Sequence, residues 1–436
     1  MDTTKHTKGP TPLQAVRGMN DVLPAESPLW EFFEATVTRV ARQYGYRNMR
    51  APVVEPTPLF VRSIGDATDI VEKEMYSFED KLNGEQLTLR PELTAGLVRA
   101  AIEANLTYNG PVRIYALGEV FRHERPQKGR YRQFNQFDVE CFGFEGPDVD
   151  AEVMIMTARI WRELGIDDVR LEINSLGNAE ERAIYRERLV AHYEANLGAL
   201  DDDARRRLRT NPMRILDSKV ASVIEVNRTA PDLLDALQAE SRAHFEGLQQ
   251  RLREANVAFV VNPRIVRGMD YYNRTAFEFV TERFGSPLTV CGGGRYDGLF
   301  AELGGKPTPA IGFGMGVERV LMMLDANTAR GAVLDAYVVH AGEAARVAAA
   351  QLGERLRDAD LAVAVHGGGG SFKSQMKKAD QSGARFALIL GDDEAARGVV
   401  TVKPLRDAAG AAIQGEQAII DGFAVSEHLR TAVQPR

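Results

Sequence analysis

The stretch GEVFRHERPQKGRYRQFNQF, residues 118–137, gathers Arg122, His123, Arg125, Lys128, Arg130 and Arg132 into eleven residues, offset only by Glu124. The 436-residue chain carries a formal charge of −7, so this concentration is local, and a bound polyanion needs a local basic surface rather than a basic total. Two alternating segments, RIYALGEVFR and RQFNQFDVECFGF, flank the polar HERPQKGRY with its Pro and Gly, which predicts an antiparallel hairpin with a long loop. At the strand period of two, Arg122 and Glu124 fall on one face, and Phe134, Gln136 and Glu140 share a parity on the returning strand. A guanidinium fork suits bidentate phosphate recognition and an aromatic ring suits stacking on a base. Together these groups describe a nucleotide site; the competing reading is a solvated, salt-bridged loop.

Two glycine runs point less clearly. GGGGSFKS (367–374) lacks the G-x-x-x-x-G-K-[ST] spacing of a phosphate loop, and GFGMG (312–316) is not the dinucleotide fingerprint. The second run leads, as a turn, into a predicted helix VERVLMMLDAN (317–327), whose N-terminus favours anions and whose first turns carry Arg319.

The elements that must position these groups divide the chain into four stretches. Residues 1–177 mix helix and strand: LWEFFEATVTRVARQYGY (29–46) has helical spacing, and VRLEINSLG (169–177) reads as a closing strand. Residues 178–258 are charged, helix-forming and free of chemistry-bearing motifs, as expected of a helical insertion. Strand-like, glycine-rich text resumes over 259–328, so the first and third stretches make one split domain. Residues 329–436 alternate strand and helix (336–340, 344–357, 361–365, 371–382, 386–390), which predicts a compact α/β domain with a largely parallel sheet. The N-terminus has no apolar core after its lysines and no apolar run approaches membrane-spanning length, so a cytoplasmic protein without a membrane is expected. Cys141 and Cys291 are far apart, have no C-x-x-C partner and read as reduced packing residues.

The hairpin FRHERPQKGRYRQF resembles motif 2 of the class II aminoacyl-tRNA synthetases, in the form characteristic of the histidyl-tRNA synthetase family, bacterial type. The resemblance extends through RGMNDVLP (17–24), APVVEPTPLF (51–60, like motif 1), LTLRPELTAG (87–96), RIVRGMDYYNRTAFEF (264–279), CGGGRYDGL (291–299) and AIGFGMGVERV (310–320, like motif 3). It covers nearly the whole chain in order. Leu93 and Asn135 depart from the pattern, standing where many bacterial members have Gly or Met and His, and leave the adjacent polar contacts intact. The resemblance implies an α+β fold: an antiparallel-sheet catalytic core with a helical insertion, plus a C-terminal α/β anticodon-binding domain.

The implied activity is a ligase reaction. Histidine attacks ATP to give histidyl-adenylate and diphosphate, then histidine tRNA takes the histidyl group and AMP leaves. Carried over residue by residue, Arg122 and Arg267 grip the α-phosphate as the catalytic pair, Glu124 holds the adenine amino edge, and Phe134 and Arg319 cover the adenine faces. Glu92, Thr94 and Gln136 hold the α-ammonium group of L-histidine, Leu93 belongs to the same histidine site, Glu140 and Tyr272 meet the two ring nitrogens, and Tyr271 and Tyr296 form walls. Gln127, Lys128 and Arg130, with Arg125 and Arg132, face the tRNA acceptor end. ATP is a substrate, Mg²⁺ is expected on its β- and γ-phosphates without a metal cage in the protein, and the family is homodimeric through its motif 1 region. A catalytically silent regulatory paralogue and a non-catalytic tRNA-binding module are the alternatives; the C-terminal domain, Glu140, Arg267 and the G-G-G-R-Y-D string speak against the first.

Overall fold

The computed structural model describes residues 13–65, 68–265, 269, 271–325, 334–407 and 410–433. The chain falls into two compact units, residues 1–328 and 329–436. In the first unit the strands are β1 (Arg47–Asn48), β2 (Val54–Pro56), β3 (Tyr76–Glu79), β4 (Gln86–Leu89), β5 (Val112–Phe121), β6 (Gln133–Phe142), β7 (Val169–Ser175), β8 (Phe259–Val261), β9 (Asn273–Thr281), β10 (Leu288–Arg295) and β11 (Ala310–Gly316). Eight of them form one sheet in the order β1-β5-β6-β11-β10-β9-β7-β8. Its six central strands are antiparallel, and only the short edge strands β1 and β8 pair in parallel. β2, β4 and β3 make a small separate antiparallel sheet.

Alternation along the strands gives the large sheet two different faces. On one face Phe137, Val139, Phe277, Phe279, Phe313 and Met315 pack with the helices Ser27–Gln43, Pro147–Glu163 and Ala239–Glu254. Full burial of each such side chain contributes roughly 1.5–3 kcal/mol. The other face carries Ala116, Val120, Phe142 and Ala276 toward helix Thr94–Glu103 and toward Tyr185, Leu189 and Tyr193 of helix Ala179–Glu194. The segment between β7 and β8 is helical throughout, but it serves both faces. Its early helices join the second cluster, whereas Phe245, Leu248 and Leu252 of its last helix join the first.

The polar centre of the first face is Asp150, fully buried against Arg295, which approaches to 2.5 Å, His244 Nε2 at 2.8 Å and the Thr275 hydroxyl at 2.5 Å. The paired guanidinium holds the Asp150 carboxyl below its usual range despite the burial that opposes this. Arg295 of the CGGGRYDGL string therefore ties β10 to helix Pro147–Glu163 rather than facing a substrate.

In the second unit β12 (Ala336–Ala341), β13 (Val363–Val365), β14 (Phe386–Gly391), β15 (Val399–Pro404) and β16 (Ala418–Asp421) form a sheet ordered β13-β12-β14-β15-β16. The helices Glu343–Asp358 and Phe372–Gln381 provide the crossovers that keep β12, β13 and β14 parallel. The sheet is less parallel than expected, because β15 and β16 pair antiparallel. Only the short helix Asp392–Arg397 separates β14 from β15, which is too little chain for a parallel crossover. No helix among the described residues is long and apolar enough to cross a membrane.

Candidate active site

The hairpin β5–β6 is paired without interruption from Val112 opposite Phe142 to Phe121 opposite Gln133, leaving the loop 122–132. At its tip Gln127 and Arg130 pair with each other, with backbone bonds of 3.1 and 2.9 Å. Gly129, at φ +74°, makes this turn, and a Cβ there would press on the methyl end of Met322. The N-terminal segment fastens the loop at its base: the Gly18 carbonyl accepts the amides of Arg132 and Gln133 at 2.7 and 3.3 Å.

The even positions of β6, namely Phe134, Gln136, Asp138 and Glu140, point to one face of the sheet. Across from the last three, β11 offers Gly316, Gly314 and Gly312. The polar side chains of β6 lie over the bare backbone of Gly312 and Gly314. A Cβ at Gly312 would overlap the Glu140 carboxylate, and one at Gly314 would crowd Gln136 and Asp138. GFGMG is thus part of strand β11 and not the turn expected from its composition. Its glycines serve side-chain passage, and the following helix is only Val317–Leu321. The expected helix 317–327 runs partly beyond the described residues.

Above this face lies a cavity of about 250 Å³. Its floor includes Glu92, Thr94, Gln136, Asp138, Tyr271 and Tyr272, and its rim includes Arg122, Glu124, Arg130, Phe134, Glu318 and Arg319. Glu92 follows Pro91 in the short connection between β4 and helix Thr94–Glu103. Its carboxylate accepts the amides of Thr94 and Ala95 at 2.7 and 2.8 Å, capping helix Thr94–Glu103. Burial raises the Glu92 carboxyl above its usual range, and these two amides oppose the rise. Arg122 donates from Nε to the Pro91 carbonyl at 2.8 Å, and its guanidinium carbon lies 5.4 Å from the Phe134 ring centroid. Arg319 donates to the Gly129 carbonyl at 3.0 Å and to the Thr289 carbonyl at 2.8 Å, so it bridges the hairpin tip and β10. Burial, followed by the nearby charge of Arg130, lowers its pKa. Glu318 accepts the Asn135 amide with both oxygens, at 2.9 and 3.0 Å, which fastens the short helix to β6.

Three residues expected around histidine do not reach the cavity surface. Leu93 is core, packed with Leu97 and Val98. Glu140 is fully buried beneath the floor, accepting from the Thr94 hydroxyl at 2.6 Å and from the Tyr296 hydroxyl. Burial pushes its carboxyl up to about 8; the two hydroxyls oppose the rise and the charge of Glu92 adds to it. Tyr296, 1 % exposed, packs edge-on against Tyr271 and Tyr272 as a support under the wall. The tRNA group is also divided. Arg130 turns into the cavity and pairs with Glu124 at 3.3 Å, while Lys128 lies over the Phe284 ring at 5.8 Å and Gln127 is exposed at the tip. Arg267 lies outside the described residues.

Several groups in the cavity are not expected from the sequence. Asp138, Glu318, Tyr131, Met269 and Thr289 all line it. Asp138 shares the period-two parity of Gln136 and Glu140, so that same signal could have found it. Glu318 had no such cue, because its role depends on which strand its helix meets.

A mainly antiparallel sheet, with a phosphate-suited arginine at a hairpin base and an arginine helix behind it, has the architecture of a class II aminoacyl-tRNA synthetase. A sequence model described as histidyl-tRNA synthetase matches residues 18–320, and one described as an anticodon-binding domain matches residues 335–419. The chain is 60 % identical to a histidine–tRNA ligase of Nitrosomonas europaea, covering 92 % of this chain and 96 % of that one. It is 54 % identical to that of Paraburkholderia phytofirmans over 99 % of this chain and 98 % of the relative. The crystal structure of an apo S. aureus histidyl-tRNA synthetase superposes with a TM-score of 0.79 at 34 % identity, covering 96 % of this chain and 100 % of that chain. The chain belongs to the histidyl-tRNA synthetase family.

Proposed function

We propose that the chain attaches L-histidine to histidine tRNA in two steps within this cavity. The histidine carboxylate attacks the α-phosphorus of ATP, forming histidyl-adenylate and expelling diphosphate. The 3′-terminal hydroxyl of the tRNA then attacks the histidyl carbonyl and expels AMP. The observation that carries this reading is the pairing of a cationic rim with an acidic, tyrosine-walled floor in one cavity of a family member. The rim suits a polyphosphate and the floor suits a cationic amino acid.

Arg122, fixed through the Pro91 carbonyl, meets charge developing on the α-phosphate, a task for which a held fork needs little reorganisation. Arg267 takes the opposite side of that phosphate on resemblance alone. Adenine stacks between Phe134 and Arg319, with Glu124 at its amino edge. Glu92, Thr94 and Gln136 hold the amino-acid ammonium, and Tyr271 and Tyr272 enclose the ring. Glu140 receives a ring N–H in exchange for one of its two hydroxyl donors. Lys128 and Gln127 meet the tRNA acceptor end, and Arg130 serves both substrates. The unit formed by residues 329–436 binds the anticodon region. Mg²⁺ bound through the β- and γ-phosphates of ATP would neutralise charge there. A homodimer in the cytoplasm completes the proposal.

Charging of tRNA with radiolabelled histidine tests this reading. The purified chain is expected to make acid-precipitable histidyl-tRNA only with ATP and histidine tRNA present, and an absence of product would refute the reading.

A further inference from the structure

Two acceptors on the cavity floor have no partner among the described residues. Gln136 Oε1 and Asp138 Oδ1 are buried and accept no hydrogen bond, although both side chains line the cavity. Asp138 is only 1 % exposed. The two residues stand on the same face of β6, paired with Gly316 and Gly314 of β11, and both side chains lie over Gly314. The neighbouring acids have one donor on each carboxylate oxygen and a second lone pair left for their substrate contacts, whereas Asp138 Oδ1 has no donor among the described residues. Both oxygens of Glu92 accept amides, and both oxygens of Glu140 accept hydroxyls. The adjacent arginines are also held, Arg122 by the Pro91 carbonyl and Arg90 by the carbonyls of Glu119 and Ala51.

Buried acceptors without donors are rare in native proteins and call for a missing partner. The two unpartnered atoms are both acceptors, one on a neutral amide and one on a carboxylate, and a cationic group with several N–H donors, which describes an ammonium, satisfies both at once. We propose that Asp138, together with Gln136, receives the α-ammonium group of the amino-acid substrate and makes the charge-assisted contact that anchors it. This assignment rests on reading the cavity as the histidine and ATP site. Burial, with the charges of Glu140 and Glu92 added, raises the Asp138 carboxyl well above its usual range, a rise that a docked cation would reverse.

The test is ATP–pyrophosphate exchange by Asp138→Asn, inhibited in turn by L-histidinol, which keeps ammonium and imidazole, and by imidazolelactate, which has a hydroxyl in place of the ammonium. The variant should raise the KM for histidine and the inhibition constant of histidinol by roughly tenfold or more, the scale of one charge-assisted bond. The imidazolelactate constant and the KM for ATP should not move. An equal rise for both inhibitors would place Asp138 on the ring and overturn the proposal. Unchanged constants throughout, or a raised ATP KM with a lowered Tm, would overturn it as well. If Asp138→Asn does not fold, Asp138→Gly, which adds a fourth glycine to this floor, carries the same comparison. A parent protein without histidine-dependent exchange would instead overturn the reading of the cavity itself.

Discussion

On the floor of the cavity Glu92 and Asp138, and beneath it Glu140, are almost sealed from solvent, and burial has moved all three carboxyls upward. On its rim, Arg130 keeps much of its solvent while Glu124 is partly buried beside it, and Arg122 and Arg319 are held by main-chain carbonyls: Arg122 by Pro91, Arg319 by Gly129 and Thr289. The floor is rooted in regular strands with glycines opposite, so its groups have little freedom. The rim hangs on a loop whose tip touches a five-residue helix. The floor is thus suited to discriminating a small substrate by leaving buried polar groups unpaired when a wrong one binds. The rim is suited to following a phosphate chain and then a nucleic acid.

If that division is right, damage to each side has its own signature. Arg122→Ala should lower kcat for pyrophosphate exchange about 10²–10³-fold, the cost of removing a donor aimed at developing charge. Circular dichroism and Tm should stay close to the parent, and a rate within threefold of the parent would remove Arg122 from the chemistry. Gly312→Ala should strike the floor instead, because its methyl group would occupy the space of the Glu140 carboxylate. We expect kcat/KM for histidine to fall by about 10–100-fold, as when a buried polar contact is lost, with the KM for ATP nearly unchanged.

The third prediction concerns pH. The Glu140 carboxyl is raised from 4.5 to about 8 in the folded chain, so between these values the folded state holds a proton that the unfolded state releases. Its stabilising contribution is complete below pH 4.5 and is lost as pH rises through about 8. Over that window the Tm of the parent should fall relative to Glu140→Gln by a few degrees; parallel curves would contradict the assignment. The smallest effects belong to the rim. Lys128→Ala should spare pyrophosphate exchange, weaken tRNA charging a few-fold and reduce its salt dependence by about one ion. Arg130→Ala should weaken both reactions, because its side chain faces the cavity as well as the loop.

Much of this division was legible in the sequence. Strand parity alone placed Phe134, Gln136 and Glu140 on one face, and the structure has them there. The alternation and the Pro-Gly loop gave the hairpin. What parity could not give was depth: Glu140 and Phe134 share a face, but one is sealed by Thr94 and Tyr296 while the other lines the cavity. Depth depends on helix Thr94–Glu103 and on the tyrosines beyond Ile265, which are remote in sequence. The GFGMG run misled because glycine is common to turns and to strands crossed by side chains, and only the register with β6 separates the two. Leu93 looked like a substrate neighbour from its position beside Glu92 and Thr94, yet it packs inward with Leu97 and Val98.

The central claim, that floor and rim together activate one particular amino acid, is tested most directly by the amino-acid dependence of ATP–pyrophosphate exchange in the parent protein. The account predicts exchange with L-histidine and none above background with the other amino acids. Exchange that is absent with histidine, or equally fast with glutamine or asparagine, would contradict it.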